Sequence, residues 1–204
     1  MLGEMKIGVL ALQGAVEPHM KAIAGCGYEP VAVKTAERLD QVKGLIIPGG
    51  ESTTVGKLLE RFGLDTLIKE RVATGMPLYG TCTGMILMAA EIVGSTQHRL
   101  GMMATTVKRN AFGRQVDSFE TDLDICGIEG GPFRAIFIRA PYFEALGSGV
   151  EAMAQVHGRV VMARQGNMLA SAFHPELTDD LRVHRYFAVM VEESLGEGTK
   201  AQRH

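Results

Sequence analysis

The chain has 204 residues, 46% of them hydrophobic and 22% charged, which fits one globular domain with a substantial core. Its formal net charge of −2 gives no electrostatic basis for binding nucleic acid or an anionic membrane surface. No apolar run approaches the roughly 18 residues that a membrane-spanning helix needs. The apolar run IGVLAL near the N-terminus is too short for a signal peptide.

The first half of the chain alternates short apolar segments with amphipathic ones. Strands are predicted at residues 5–12, 27–34, 44–50 and 76–80, and helices at 16–26, 55–62, 64–73 and 83–93. Ser52 or Thr53 is predicted to cap the second of these helices. Continuous apolar strands separated by helices indicate a parallel sheet that is covered on both faces.

The second half consists of short apolar runs that leave little room for helices. These runs are MMATTVKR, FETDLDI, RAIFIRA, VEAMAQV, RVVMARQ and MLASAFH, and they indicate antiparallel strands added to the parallel core. A final amphipathic helix is predicted over about 179–195. The sequence therefore predicts an α/β three-layer sandwich with a mixed, mainly parallel central sheet. We expect a single domain over 1–204, with frayed ends at 1–4 and about 196–204.

A cysteine stands in PLYGTCTGM (77–85), where an apolar strand gives way to a helix-forming run. At such a place Cys82 is a small buried filler, a metal ligand, a redox thiol or a nucleophile. Backbone amides at a helix N-terminus favour a thiolate and can stabilise an oxyanion. Gly80 and Gly84 would relieve crowding in a sharp strand–nucleophile–helix turn. The pattern G-T-C-T-G therefore fits a nucleophile elbow, with the buried filler as the alternative.

The two other cysteines, Cys26 and Cys126, lack this context, and we interpret both as structural. Three cysteines without paired spacing argue against a disulfide framework, so we expect a reducing, cytoplasmic environment.

A thiol nucleophile needs a base, and the base needs a group that orients it. Surface, core or loop positions are the default interpretation for His19, His98, His157, His184 and His204. His174 differs because it ends an apolar strand and begins H-P-E-L, so that Glu176 can bend back to its ring. A triad of Cys82, His174 and Glu176 is the resulting hypothesis, with a helix cap as the alternative role of the glutamate. No metal site is predicted, because no other Cys or His ligand stands near in sequence.

The segment PGGEST (48–53) is a second glycine-rich strand end. Two glycines before a capped helix can present amides to an anion, but no G-K-[ST] follows, as a phosphate loop would require. A phosphate loop and a plain tight turn both remain open as alternatives.

Six segments together resemble one enzyme family. They are LALQGA (10–15), PGGEST (48–53), GTCTG (80–84), RNAFGRQVDSFE (109–120), FIRAP (137–141) and FHPEL (173–177). The set resembles the glutaminase subunits of pyridoxal 5′-phosphate synthase, a branch of the class I, triad-type glutamine amidotransferases. The similarity runs from about residue 5 to residue 192 in the family's order. RNAFGRQVDSFE and PGGEST are specific to this branch, whereas GTC-x-G with HPE is typical of the wider superfamily.

The resemblance implies hydrolysis of L-glutamine to L-glutamate and ammonia. The ammonia passes to a synthase subunit, which builds pyridoxal 5′-phosphate from a pentose phosphate and a triose phosphate. Cys82 would be the nucleophile, with His174 and Glu176 completing the triad. The implied glutamine-binding positions are Gly50, Glu51, Ser52, Arg109, Ile138 and Arg139. No cofactor is implied.

Physical chemistry is compatible with these implied roles. Arg109 or Arg139 can meet the α-carboxylate of glutamine, and Glu51 suits its ammonium group or, equally, the cap of a helix. The backbone amides of Gly50 and Thr83 are expected to form an oxyanion hole. Gln13 of LQGA, which we expect beside PGG, is the candidate sensor of the synthase partner; a plain turn residue is its alternative role.

Two departures from the family pattern stand out. Thr83 replaces a small residue such as alanine, and because its amide rather than its side chain should matter, we expect no loss of function. Tyr142 and Phe143 are bulkier or more aromatic than usual and are expected to alter packing near the site.

Three other functions compete with this interpretation. A cysteine hydrolase or stress protein on the same kind of sheet would lack the late H-P-E and usually carries an acidic residue where this chain has Gln13. A different amidotransferase branch is disfavoured by RNAFGRQVDSFE. A non-catalytic binding module with the same fold is disfavoured by the intact cysteine, histidine and glutamate.

Overall fold

The computed structural model describes residues 5–110 and 118–201, with the side chains described up to residue 196. The elements follow in the order β1 (Lys6–Leu10), α1 (Val16–Gly25), β2 (Glu29–Val33), α2 (Ala36–Asp40), β3 (Gly44–Ile47), α3 (Ser52–Arg61), α4 (Leu64–Ala73), β4 (Leu78–Thr81), α5 (Thr83–Met88), β5 (Ala89–Ile92), β6 (Met103–Lys108), β7 (Ser118–Leu123), β8 (Phe133–Ile138), β9 (Tyr142–Leu146), β10 (Glu151–Val156), β11 (Arg159–Gln165), β12 (Met168–Ser171), a short 3-10 helix (Pro175–Leu177) and α6 (Arg182–Ala201).

One large sheet organises the described residues. Its strand order is β2-β1-β3-β4-β12-β11-β9-β6-β5, and β10 pairs with β11. The pairs from β2 to β12 are parallel, whereas β11 runs antiparallel to β12, β9 and β10. Strands β7 and β8 form a separate antiparallel pair. The predicted mixed sheet with a parallel core and antiparallel additions is confirmed.

Helices pack on this sheet through their apolar sides. Helix α1 contacts β1, β2 and α6, whereas α5 contacts β3, β4 and α3. The strands of the parallel half are almost wholly buried; β3, for example, is buried along its whole length, as expected for a sheet covered on both faces. None of the helices in the described ranges is long and apolar enough to cross a bilayer.

Several predicted elements differ from the structure. The helix predicted over 83–93 ends at Met88, because Ala89 turns extended (φ −63°, ψ 142°) and pairs with Met103 of β6. The last predicted strand of the second half, β12, pairs antiparallel with β11 as predicted, and its other edge pairs parallel with β4, so it joins the two parts of the sheet. Helix α2 and strand β9 were not predicted, and α6 continues to Ala201 rather than stopping near 195.

The cap of α3 is Glu51, the alternative to the serine or threonine that the local pattern predicts. Helix α3 begins at Ser52, and its N-cap is Glu51 rather than Ser52 or Thr53. The Glu51 carboxylate accepts hydrogen bonds from the amides of Thr53 and Thr54 at 3.0 and 2.7 Å. A longer side chain therefore satisfies the amides for which a serine or threonine cap was expected.

The turn from β4 into α5 requires two glycines. A Cβ at Gly80 would lie 2.6 Å from the sulfur of Met88 and closer still to the Gly84 backbone. A Cβ at Gly84 would collide with the carbonyl oxygen of Ile47 in β3. The first turn of α5 thus approaches two strands at a distance that no side chain permits.

We therefore predict that Gly84→Ala destabilises the fold, because the added methyl must push α5 away from β3. Overpacking of this kind costs about 1–3 kcal/mol, so the melting temperature should fall by at least about 2–4 °C in thermal unfolding. Gly196→Ala in α6 is the matched control, since apart from its own helix no atom of the described residues lies within 4 Å of its added Cβ. An unchanged melting temperature for Gly84→Ala would contradict the argument.

Candidate active site

Three parallel strands bring distant parts of the chain to one edge of the sheet. Strand β4 pairs with β12 so that Thr81 lies opposite Ser171, and with β3 so that Gly80 lies opposite Ile47. The segments that follow these strands therefore leave the sheet side by side. Ligands of open α/β sheets bind at this carboxyl edge.

Cys82 occupies the turn between β4 and α5. Its backbone has φ 49° and ψ −99°, a strained combination for a residue with a side chain. Its amide donates to the Ser171 carbonyl at 2.8 Å, and its side chain is almost wholly buried. This geometry is that of a nucleophile elbow, in which strain aims the thiol out of the sheet edge.

His174 and Glu176 lie beside this turn. The Nδ1 atom of His174 is 2.7 Å from Oε1 of Glu176, and both side chains are largely buried. Burial alone would lower the pKa of His174, but hydrogen bonds and negative charge from Cys82 and Glu176 outweigh it and raise the pKa to about 10. The ring is therefore an imidazolium at neutral pH, held between the thiol and the carboxylate.

The glycine loop after β3 lies against the same residues. A Cβ at Gly49 would be 2.7 Å from Cε1 of His174 and 3.6 Å from Cβ of Cys82. The Gly49 carbonyl accepts a hydrogen bond from the Ala15 amide at 2.9 Å, and the Gln13 side chain accepts one from the Glu51 amide at 2.8 Å. LQGA and PGG are thus neighbours, as the sequence suggested.

The backbone amide of Gly50 is already hydrogen-bonded. It donates to Oγ1 of Thr83 at 3.1 Å, and the same hydroxyl donates to the Gly50 carbonyl at 2.5 Å. The Thr83 side chain therefore contacts the glycine loop, although only its amide was expected to matter. That Thr83 causes no loss of function stays a prediction. An oxyanion hole that includes the Gly50 amide requires this hydrogen bond to break.

The carboxylate of Glu51 is hydrogen-bonded to the first turn of α3, the helix that it caps. A hydrogen bond from the Thr54 hydroxyl, followed by backbone amides of Thr53 and Thr54, lowers the pKa of Glu51 to about 2 against an opposing effect of burial. The helix cap, one of its two predicted roles, is the role that this geometry contains. Its binding of a substrate ammonium stays a prediction.

A cavity of about 510 Å³ opens above Cys82 and His174. All the glutamine-binding positions implied by the resemblance line it, namely Gly50, Glu51, Ser52, Arg109, Ile138 and Arg139. A larger groove of about 840 Å³ lies between α1 and residues 176–181, but it reaches neither Cys82 nor His174. The smaller cavity is therefore the candidate site.

Sequence reasoning missed Gln97. Its Oε1 atom accepts hydrogen bonds from Arg109 at 2.7 Å and from the Ser52 hydroxyl at 3.3 Å. Gln97 thereby ties the arginine of the cavity wall to the first turn of α3. It lies in a polar loop with no motif, so the sequence carries no signal for this contact.

The remaining predicted positions lie away from the cavity. Cys26 is half-buried and Cys126 is exposed, and neither lines the cavity. Tyr142 and Phe143 are buried in β9 and do not line the cavity. Most of RNAFGRQVDSFE, residues 111–117, lies outside the described residues. Within the described ranges no group of three or more His, Cys, Asp or Glu side chains is arranged to hold a metal.

Comparison with known proteins gives consistent results. The model of the SNO glutamine amidotransferase family matches residues 9–193. A Pelotomaculum thermopropionicum protein named pyridoxal 5′-phosphate synthase subunit PdxT is 58% identical over 183 residues, covering 90% of this chain and 93% of that protein. Its Carboxydothermus hydrogenoformans counterpart of the same name is 55% identical, covering 94% and 100%.

Two solved structures share the fold of this chain. A crystal structure of a glutamine amidotransferase superposes with a TM-score of 0.88 at 50% identity, covering 91% of this chain and 98% of that one. The structure of PurLQS from Thermotoga maritima shares the fold with a TM-score of 0.65 at 16% identity, covering 98% of this chain and 100% of that one.

We predict that iodoacetamide alkylates Cys82 faster than Cys126 at pH 7, although Cys126 is the exposed thiol. Cys82 lies at the N-terminus of α5 beside His174, and cysteines in such surroundings react faster than ordinary exposed ones. Peptide mapping after short exposures measures the two rates in one sample, so Cys126 is the internal control. Alkylation that simply follows exposure would contradict the nucleophile assignment.

Proposed function

The chain belongs to the SNO glutamine amidotransferase family, and on that premise we propose that it hydrolyses L-glutamine and delivers the ammonia to the synthase subunit of pyridoxal 5′-phosphate synthase. The single observation that carries this proposal is the His174–Glu176 pair, 2.7 Å long, beside a cysteine in a strained strand–helix turn. The names of the curated relatives support the choice of acceptor.

The proposed chemistry is acyl transfer through a thioester. The Cys82 thiolate attacks the side-chain amide carbon of glutamine and forms a tetrahedral oxyanion. The His174 imidazolium gives its Nε2 proton to the departing nitrogen, and ammonia leaves. Neutral His174 then takes a proton from water as that water attacks the thioester, which releases glutamate and restores the thiolate. Glu176 stays ionised and fixes the ring throughout.

The protonation state of His174 supports this order of chemical steps. A pKa of about 10 keeps the ring charged at neutral pH, so the acid needed for the first step is already present. The thiolate that attacks is paired with that charge.

The cavity supplies groups that match the rest of glutamine. Arg109, held by Gln97, and Arg139 are the cations for the α-carboxylate. The amide of Thr83, the first residue of α5, has no carbonyl one turn earlier to accept it and is the ready oxyanion donor. The Gly50 amide is the second donor once the Thr83 hydroxyl releases it.

A partner contact is the proposed means of that release. Gln13 holds the amide of Glu51, which is the next peptide after Gly50, so a movement of Gln13 reaches the loop directly. Gating by the partner would prevent wasteful hydrolysis of glutamine. We further propose that the chain acts as one amidotransferase domain and works in the cytoplasm, where its cysteines would stay reduced.

We predict that Cys82→Ala abolishes glutamine-dependent formation of pyridoxal 5′-phosphate in the reconstituted complex but leaves synthesis from ammonium salts intact. The synthase subunit needs ammonia and not the thiol, so only the first half-reaction is lost. Product absorbance with either nitrogen source is the measurement, and Cys126→Ala, at an exposed site, is the control that should retain both.

Each failure of that experiment has a distinct meaning. Glutamine-dependent synthesis that survives Cys82→Ala would refute the role of the thiol. Loss of the ammonium-dependent reaction as well would refute the division of labour between the subunits. A wild-type complex that turns over ammonium but not glutamine would favour a binding module without chemistry.

We predict opposite effects for the two side chains that hold the glycine loop. Thr83→Ala removes the hydroxyl from the Gly50 amide and should raise glutamine hydrolysis by the chain alone. Gln13→Ala removes the link to Glu51 and should reduce stimulation by the synthase subunit. Glutamate release with and without that subunit measures both. Unchanged stimulation in Gln13→Ala would leave Gln13 as a plain turn residue.

A further inference from the structure

A row of buried polar side chains continues from the triad into the core. Nδ1 of His19 in α1 lies 2.8 Å from Nε2 of His184 in α6, and Nε2 of His19 lies 3.1 Å from the hydroxyl of Thr81. The same Nε2 is 3.4 Å from Oε2 of Glu176. His19, Thr81 and His184 are each at most 2% exposed. The proposed mechanism uses neither histidine.

The protonation states in this row follow from its surroundings. Burial, then the nearby charges of His184 and His174, lowers the pKa of His19. Burial lowers the pKa of His184 to about 4. Both rings are therefore neutral at pH 7, and each carries one N–H donor and one bare acceptor nitrogen.

The neighbouring carboxylate selects the tautomers. Oε2 of Glu176 is buried and makes no hydrogen bond within the described residues. Its contact with Nε2 of His19, at 3.4 Å, is longer than an ordinary hydrogen bond. A bare Nε2 there would still set two acceptors against each other, whereas an N–H is attracted to the carboxylate. With the proton on Nε2, His19 faces both Oε2 and the Thr81 hydroxyl. Nδ1 of His19 is then bare and accepts from Nε2–H of His184. The buried Nδ1 of His184 is left as an acceptor without a donor, which costs less than an orphaned charge.

We propose that His19, backed by His184, is a positioning residue that holds Oε2 of Glu176 so that Oε1 receives the N–H of His174. The inference rests on the proposed triad and extends it by two residues from the first and last helices. The N–H groups of both histidines then point along the row toward Thr81 and the carboxylate. Glu176 has a second polar neighbour, which opposes rotation of its carboxylate away from His174.

A purely space-filling role is the competing explanation. Two buried imidazoles next to a carboxylate are costly, and apolar side chains of similar volume would fill the space with better stability. The groups that titrate around His19 are His184 on α6, His174 and Glu176 after β12, and Tyr79 on β4, which senses the Glu176 charge. A positioning role makes their coupling visible in the pH dependence, whereas filling does not.

The first test reads the tautomers in wild-type protein. Long-range ¹H–¹⁵N spectra of histidine-labelled chain at pH 7 should show a proton on Nε2 and a bare Nδ1 for both residues. His19→Gln and His184→Gln assign the signals by their disappearance. A bare Nε2 on His19 leaves Glu176 without its donor and overturns the proposal, whatever the activity of the protein.

The second test measures glutamine hydrolysis in the complex with the synthase subunit. His19→Leu should lower kcat by about 10-fold or more, by analogy with partners that orient active-site ligands, while KM changes by less than about twofold because no substrate contact is lost. A Glu176 carboxylate that no longer stays on His174 raises the pKa of His174 less. The fall of kcat at high pH should therefore begin at a lower pH, which shifts the high-pH limb of the kcat profile.

Two further variants separate positioning from stability. His19→Gln keeps an N–H near the place of Nε2. Compared with His19→Leu, it should have a higher kcat and a high-pH limb that lies closer to that of the wild type. Ile23→Ala, also buried in α1, should lower the melting temperature without moving the limb. If His19→Leu and Ile23→Ala change kcat and its high-pH limb equally at matched stability, His19 has only a packing role. Absence of glutamine hydrolysis in wild-type complex would instead refute the proposed function.

Discussion

The hydrogen-bonded register between β4 and β12 is the constraint on which the site depends. Ser171 lies opposite Thr81, and the Cys82 amide donates to the Ser171 carbonyl. This pairing places His174 next to Cys82 although the two are far apart in sequence. Because side chains alternate between faces, a slip of one residue in β12 would move His174 along the edge and reverse the direction of its ring. The parallel pairing of β12 therefore determines the geometry of the candidate site as well as the fold.

Close backbone approach is the second constraint, and it explains why the PGG loop is rich in glycine. Gly49 lies where a Cβ would touch the His174 ring, and Gly50 lies where one would meet the Gln13 side chain. The phosphate-loop alternative fails on the same geometry. A phosphate would need the first amides of α3, and the Glu51 carboxylate already accepts from two of them. The glycines therefore permit close approach to His174 and Gln13, and the first amides of α3 are not free to bind a phosphate.

Structural features that depend on residues close together in the sequence could be predicted from it. Elements with strong local patterns, such as α4 over Leu64–Ala73 and β11 over Arg159–Gln165, were predicted at their observed bounds. Strand β5 was mistaken for helix because Ala89 and its neighbours favour helix locally, and only pairing with β6 makes them extended. The motifs identified Cys82, His174 and Glu176 as candidates because a strand end and a turn are local features.

Contacts between distant segments could not be foreseen from such patterns. The hydrogen bond between Thr83 and Gly50 joins two loops, and the contact of Gln97 with Arg109 joins residues without a motif. His19 and His184 sit on amphipathic helices, where a core or surface histidine is the reasonable default. Their pairing across 165 residues exists only because α1 packs against α6. No spacing in the sequence encodes it.

The start of α1 connects the two halves of the site. Gln13, just before the helix, holds the loop that carries the Gly50 amide, and His19, near the start of the helix, faces the triad carboxylate. Only five residues separate Gln13 from His19, and His19 lies in α1, so a displacement of α1 would reach both. A contact on this segment would act at once on the proposed oxyanion hole and on the orientation of His174. The burial of two neutral imidazoles is thus understandable as the means by which a surface element of the fold reaches the carboxylate that orients the base.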